Sequence, residues 1–135
     1  MRILIFGDSI VRGSFDTECG GWANRLSAAF NQKTCEGEEY YNTFNLGIGG
    51  ETCVQLQARI ANEVASRPAT SGETVSLVLS GTNDSKFLVE ENKNIVTIDE
   101  FEVAYIKVVQ QLKEFSDHVF CMGLTRMDET KTNPI

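Results

Sequence analysis

The sequence predicts an α/β domain in three layers, with helices on both faces of a mainly parallel, four-stranded sheet. Three observations point to it. Four short apolar or β-branched runs recur along the 135 residues. Helical patterns separate them, as parallel pairing requires of its crossovers. The first three runs end in glycine- or asparagine-bearing turns, at the strand ends where open α/β sheets bind ligands.

The first run, Ile3 to Phe6, reads as a buried strand that stops in the tight turn Gly7-Asp8-Ser9 and leaves Ser9 at the rim of the sheet. After Gly20-Gly21, the residues Trp22, Leu26, Ala29 and Phe30 recur at helical spacing. The second run, Tyr40 to Leu46, leads through Gly47, Gly49 and Gly50 into a looser helical stripe of Val54, Leu56, Ile60 and Val64. The third, Val75 to Leu79, is followed by Ser80-Gly81-Thr82-Asn83-Asp84. Lys86 to Thr97 is polar and aperiodic and reads as a surface loop beside the rim. Asp99 and Glu100 favour the start of the most regular helix, whose face carries Phe101, Ala104, Tyr105, Val108, Val109 and Leu112. Val119 to Met122 is the fourth run, and residues 1–135 read as a single domain without repeats.

Twelve basic residues against nineteen acidic ones give a net charge of −7. Scattered Lys and Arg on such a background argue against nucleic acid and anionic membrane surfaces as partners. Cys19, Cys35, Cys53 and Cys121 form no C-x-x-C pair and have no histidine nearby, so they predict no metal site and read as small apolar residues in a reducing compartment. No organic cofactor is implied. No run approaches the ~18 apolar residues of a membrane span and no leader is recognised, which predicts a cytoplasmic protein without a membrane anchor.

Acyl transfer needs a nucleophile, a base, and donors aimed at the developing oxyanion. Ser9 has the position of a nucleophile. Its own N–H, the N–H of Gly50 and the amide of Asn83 have the positions of donors, because all three follow strand ends on one rim. Each feature alone is commonplace: a serine at such a turn is often only a helix cap, and Asn83-Asp84 often only an Asx-turn.

Together, the blocks Ile5-Phe6-Gly7-Asp8-Ser9-Ile10, residues 45–52 from Asn45 to Thr52, and Gly81-Thr82-Asn83-Asp84 resemble the SGNH, or GDSL-type, esterases and acylhydrolases. The resemblance extends over essentially the whole chain and implies a flavodoxin-like sandwich of the SGNH-hydrolase type acting on small acyl esters. It implies Ser9 as nucleophile, Gly50 and Asn83 as the rest of the oxyanion hole, and Asp8 as a supporting, local structural residue. Trp22 after Gly20-Gly21 resembles the family's entry into its first helix.

The family's fourth block, Asp-x-x-His, has no counterpart here: Met127-Asp128-Glu129-Thr130 has the aspartate without the histidine. His118, the only histidine, opens the fourth strand, so about five residues of rise, roughly 17 Å, separate it from the level of Ser9. Direct proton abstraction needs about 3 Å. Asp84, Lys86 and Asp128 offer weak activation at best. The expectation is an esterase-lineage domain, C-terminally incomplete and inactive or weak for want of its base. The alternatives are a non-catalytic ligand-binding or assembly protein on the same scaffold and, less well supported, a nucleotide binder using Gly47 to Gly50. An unpaired fourth strand further predicts a homo-oligomer, or pairing with a completing C-terminal segment.

Overall fold

Four consecutive apolar residues, Ile3, Leu4, Ile5 and Phe6, make strand β1 (Arg2–Gly7) the centre of the molecule, each at most 2% exposed. A computed structural model describes residues 1–69, 72–126 and 128–132. After β1 come α1 (Ser9–Arg12), α2 (Trp22–Cys35), β2 (Asn42–Gly47), α3 (Cys53–Ala65) and β3 (Thr74–Leu79). They are followed by the short strands β4 (Phe87–Leu88) and β5 (Lys93–Asn94), then α4 (Ile98–Phe115), β6 (His118–Cys121) and α5 (Glu129–Thr132).

The main sheet runs β2-β1-β3-β6, and every pairing in it is parallel. Side chains alternate across β1 with the strand period of two. Leu4 and Phe6 join Leu56, Ile60, Val64, Ala104, Val108 and Leu112 on the α3 and α4 face. Ile3 and Ile5 join Val11 and Ala23 on the α1 and α2 face, against half-buried Trp22, Leu26 and Phe30. Both faces are therefore covered, which is the predicted three-layer sandwich. Full burial of each such side chain contributes roughly 1.5–3 kcal/mol.

Local chemistry sets the helix starts. Thr52 and Thr97 each close a capping box, with Gln55 and Glu100 returning the bond to the cap residue. Asp99 and Glu100 lie in the first turn of α4, as read from the sequence. At the amino end of the sheet, Arg2 is 8% exposed and its guanidinium donates to Thr74 Oγ1 at 3.1 Å and to the carbonyls of Arg67 and Phe115.

Five sequence expectations are corrected. The second strand begins at Asn42, because the carbonyl of Tyr40 accepts from the N-terminal ammonium and Tyr41 N–H donates to Thr34 Oγ1. Lys86 to Thr97 is not irregular throughout: Phe87 pairs with Asn94 and Leu88 with Lys93 in an antiparallel hairpin, and Val96 is buried. Two-residue strands are too short to show a period. In α3 the buried stripe starts at Cys53, while Val54 is 44% exposed; in α2, Ala29 is exposed and Ala23 takes the inner position. Cys19, Cys35 and Cys121 are exposed, leaving Cys53 as the one that behaves as a core residue. No helix among the described residues is long and apolar enough to cross a membrane.

Candidate active site

Gly7 lies in register with Gly47 on one side and with Leu79 on the other. Ser9, Gly50 and Asn83 follow those three positions closely, so register alone brings them to one rim, beyond the carboxyl ends of the strands. The approach depends on missing side chains. A Cβ on Gly7 would stand 2.1 Å from the Leu79 carbonyl oxygen, and one on Gly47 would stand 2.3 Å from the Arg12 nitrogen. Glycine at position 47 lets α1 seat directly on the end of β2, and glycine at position 7 lets the end of β1 lie against the Leu79 carbonyl and Val11.

Asp8 is the N-cap of α1 and accepts from Ile10 N–H at 2.9 Å, which is the local structural role read for it. Its carboxyl is fully buried, and among the described residues Oδ2 has no hydrogen-bond partner. Ser9, half-buried, is the first residue of α1; its N–H is one of the first-turn groups that have no acceptor inside a helix. Gly50 is exposed with φ +79°, a left-handed conformation that disfavours other residues there, although an added Cβ would meet nothing within 4 Å.

The Asn83 amide donates to the Glu51 carbonyl at 2.9 Å, which fixes its plane and leaves its second N–H available. Glu51 itself is buried at 6% exposure and held by Arg59, which also donates to the Leu46 carbonyl at 2.6 Å and pairs with Glu63. Asn45 performs a similar task on the other side. Its amide donates to the Val11 carbonyl and to Asn24 Oδ1, both at 3.0 Å, and its own oxygen accepts from Gly47 N–H at 3.1 Å. Glu51, Arg59 and Asn45 position the turns that hold the predicted residues, and sequence reasoning gave none of them a role. The only signal was that Asn45 and Glu51 lie inside the second glycine block.

Asp84 does not face the rim as a free base. Both of its oxygens accept from Cys53 N–H, at 2.9 and 3.1 Å, and it is 3% exposed. Burial, reinforced by the charge of Asp8, pushes its carboxyl above the usual range despite that bond. Burial and then Asp84 push the Cys53 thiol up to about 12. Lys86 is exposed; Asp128 accepts from Thr130, chiefly through its hydroxyl, and that holds its carboxyl low. His118 pairs in register with Val75, at the opposite end of β3 from Leu79, and its Nε2 is 3.8 Å from Glu73. A cavity of about 180 Å³ opens between the loop after β3 (Gly81, Asp84 and Ser85), Asn94 of β5, the start of α4 and Leu124; Ser9, Gly50 and Asn83 do not line it. Among the described residues, no group of three or more His, Cys, Asp or Glu is arranged to hold a metal ion.

The isoamyl acetate-hydrolyzing esterase 1 homolog of Mus musculus is 28% identical over 112 residues, a match taking in 83% of this chain and 41% of the mouse protein. AlinE4, an esterase of the SGNH-hydrolase family, matches in structure with a TM-score of 0.68 at 19% identity, over 96% of this chain and 61% of AlinE4. TesA matches with a TM-score of 0.69 at 20% identity, over 98% of this chain and 65% of TesA. At those identities the structural likeness speaks for the fold. The chain spans less than half of the mouse relative and under two thirds of both solved ones. The profile of the GDSL-like lipase/acylhydrolase family matches residues 5–134, which include all three blocks at the ends of β1, β2 and β3, and the chain belongs to that family.

Proposed function

We propose that this chain carries the nucleophile and the oxyanion-binding part of a serine ester hydrolase. The observation that supports it best is the common register of the strand ends that precede Ser9, Gly50 and Asn83. Ser9 Oγ adds to the ester carbonyl and loses its proton to a base. The oxyanion of the tetrahedral intermediate is met by the N–H groups of Ser9 and Gly50 and by the free amide N–H of Asn83. Collapse expels the alcohol and leaves an acyl-serine, which water then cleaves to the acid. Each donor in such a hole stabilises the transition state by roughly 3–4 kcal/mol.

The base is not His118, whose ring lies at the far end of the sheet beside Glu73. On this reading it comes from residues outside this sequence, and the chain alone turns over esters weakly or not at all. Asp8 stays a supporting residue that fixes the turn. Among the described residues no strand pairs with the outer edge of β6, where Phe120 is 56% exposed, and this supports self-association through that edge.

The test is hydrolysis of a short-chain chromogenic ester by the chain and by Ser9→Ala, with and without added imidazole as a substitute base. A rate gained with imidazole by the parent alone supports the reading. Equal rates from both proteins under all conditions would refute Ser9 as nucleophile. The lack of a base within reach among the described residues also favours a second reading, a binding protein on the same scaffold, which predicts ligand affinity at the rim without Ser9-dependent turnover.

A further inference from the structure

Arg12 is the last residue of α1, the helix that Ser9 begins, and it is exposed. Two glycines make room for it. A Cβ on Gly47 would stand 2.3 Å from the Arg12 nitrogen and 2.8 Å from its Cα, so the backbone of Arg12 rests on the end of β2. A Cβ on Gly49 would stand 3.1 Å from Arg12 Nη1, so the guanidinium lies over the turn that leads to Gly50. The place of that missing Cβ is at most about 3.5 Å from the next peptide nitrogen, which sets Arg12 Nη1 within about 7 Å of Gly50 N.

No role in the fold accounts for this charge. The carbonyls at the end of α1 already have donors: that of Ser9 accepts from Gly13 and Ser14 N–H, both at 3.0 Å, and that of Val11 from the Asn45 amide at 3.0 Å. The carboxylates of the neighbouring segments are engaged elsewhere. Asp16 pairs with Arg25 at 2.8 Å, Glu51 pairs with Arg59, and Asp8 is buried in its turn. Among the described residues, none pairs with the Arg12 guanidinium. A chain of net charge −7 thus keeps a free cation beside one of the proposed oxyanion donors.

We propose that Arg12 binds a carboxylate carried by the substrate, so that the preferred ligands are small anionic esters. A single guanidinium matches one carboxylate in charge and in its pair of parallel N–H donors. With hydrogen bonds of about 2.8 Å at each end, the spacing from Gly50 suits a carboxylate about two or three carbons from the ester carbonyl. That carboxylate belongs either to the acyl part, as in a half-ester of a dicarboxylic acid, or to the alcohol part, as in an ester of a hydroxy acid. The inference rests on the esterase reading for the ester group of the ligand. Its physical basis, a free guanidinium over the Gly49–Gly50 turn, does not depend on turnover.

Two matched pairs of inert amides test it by NMR titration. Succinamate against 4-oxopentanamide places the charge on the acyl side, and N-acetylglycine against N-acetylglycinamide places it on the leaving-group side. In one of the pairs the parent is expected to prefer the anion about fivefold at ~0.01 M salt, the equivalent of ~1 kcal/mol for an exposed charge pair. Shifts appear at Gly49 and Gly50. At ~1 M salt, where the screening length is only about 3 Å, the preference should vanish. Arg12→Gln is expected to bring the anion-to-neutral ratio to one or below, since the remaining net charge repels an anion, and Arg12→Lys to restore part of it. A ratio of one or below in both pairs for the parent, a ratio that high salt leaves intact, or one that survives Arg12→Gln would overturn the proposal. A preference for the anion in a chain that shows no Ser9-dependent hydrolysis with imidazole would uphold the proposal and refute the esterase reading. Ser9-dependent hydrolysis without any such preference would do the reverse.

Discussion

Replacing Arg59 by methionine tests the network beneath the rim. Glu51 and Arg59 have side chains only 5% and 16% exposed, so Glu51 without its partner keeps a carboxylate in a largely dry site. Breaking a buried pair from one side costs about 3–5 kcal/mol, most of it the penalty of the stranded charge. The Leu46 carbonyl also loses its donor from Arg59, a further contribution of about 1 kcal/mol. Against a typical total stability of about 5–15 kcal/mol, Arg59→Met should leave the chain folded but marginal. With a urea slope of about 2 kcal/mol per molar, the midpoint is expected to fall by about 2–3 M. The double variant Glu51→Gln, Arg59→Met should recover much of the loss, because no charge is then left unpaired. Urea unfolding followed by far-UV circular dichroism reads both. An Arg59→Met midpoint within ~0.3 M of the parent would refute the argument that this pair holds the Gly49–Glu51 turn.

Asp84 is raised above 3.8 by burial and then by Asp8, so between its unfolded and folded values the native chain holds a proton that the unfolded chain has lost. Stability then falls as pH rises through that window and stays lower above it. Asp84→Asn, which keeps an acceptor for Cys53 N–H, should remove that slope in urea midpoints taken between about pH 3 and 8; an unchanged slope would count against it. With its thiol held up to about 12, Cys53 should resist a thiol reagent at neutral pH under native conditions while Cys19, Cys35 and Cys121 react, and should label only on unfolding. Rapid labelling of all four would contradict the burial. Gly47→Ala puts a methyl 2.3 Å from the Arg12 nitrogen and should cost about 1–3 kcal/mol in thermal unfolding, with an unaffected midpoint as the refuting result. Phe120→Lys on the β6 edge should shift a concentration-dependent oligomer toward monomer in sedimentation; a parent that is already monomeric would refute self-association there.

The layers were legible because parallel strands buried on both faces leave continuous apolar runs, and β1 is the plainest example. The rim was legible for a different reason: a glycine that must admit a neighbouring backbone, as Gly7 and Gly47 do, marks its place in a sequence. What could not be read was pairing at a distance. Glu51 and Arg59 look like two ordinary charges on a surface until α3 turns one beneath the other, and Cys53 or Val54 could equally have faced inward until the Thr52 cap set the phase of the helix. The β4–β5 hairpin escaped because two residues per strand carry no alternation. The cavity it helps to close escaped with it.

Arg2 has a consequence of its own. From the start of β1 its guanidinium reaches the carbonyls of Arg67, just past α3, and of Phe115, the last residue of α4. One positive charge thus meets the electronegative ends of two helices at once. The chain is riveted at the end of the sheet farthest from Ser9, where nothing has to open. The turns at the other end are left to loops, which can lengthen, shorten or change residue without loosening the rivet. A fold fastened independently at its far end can acquire new specificities by altering only its rim.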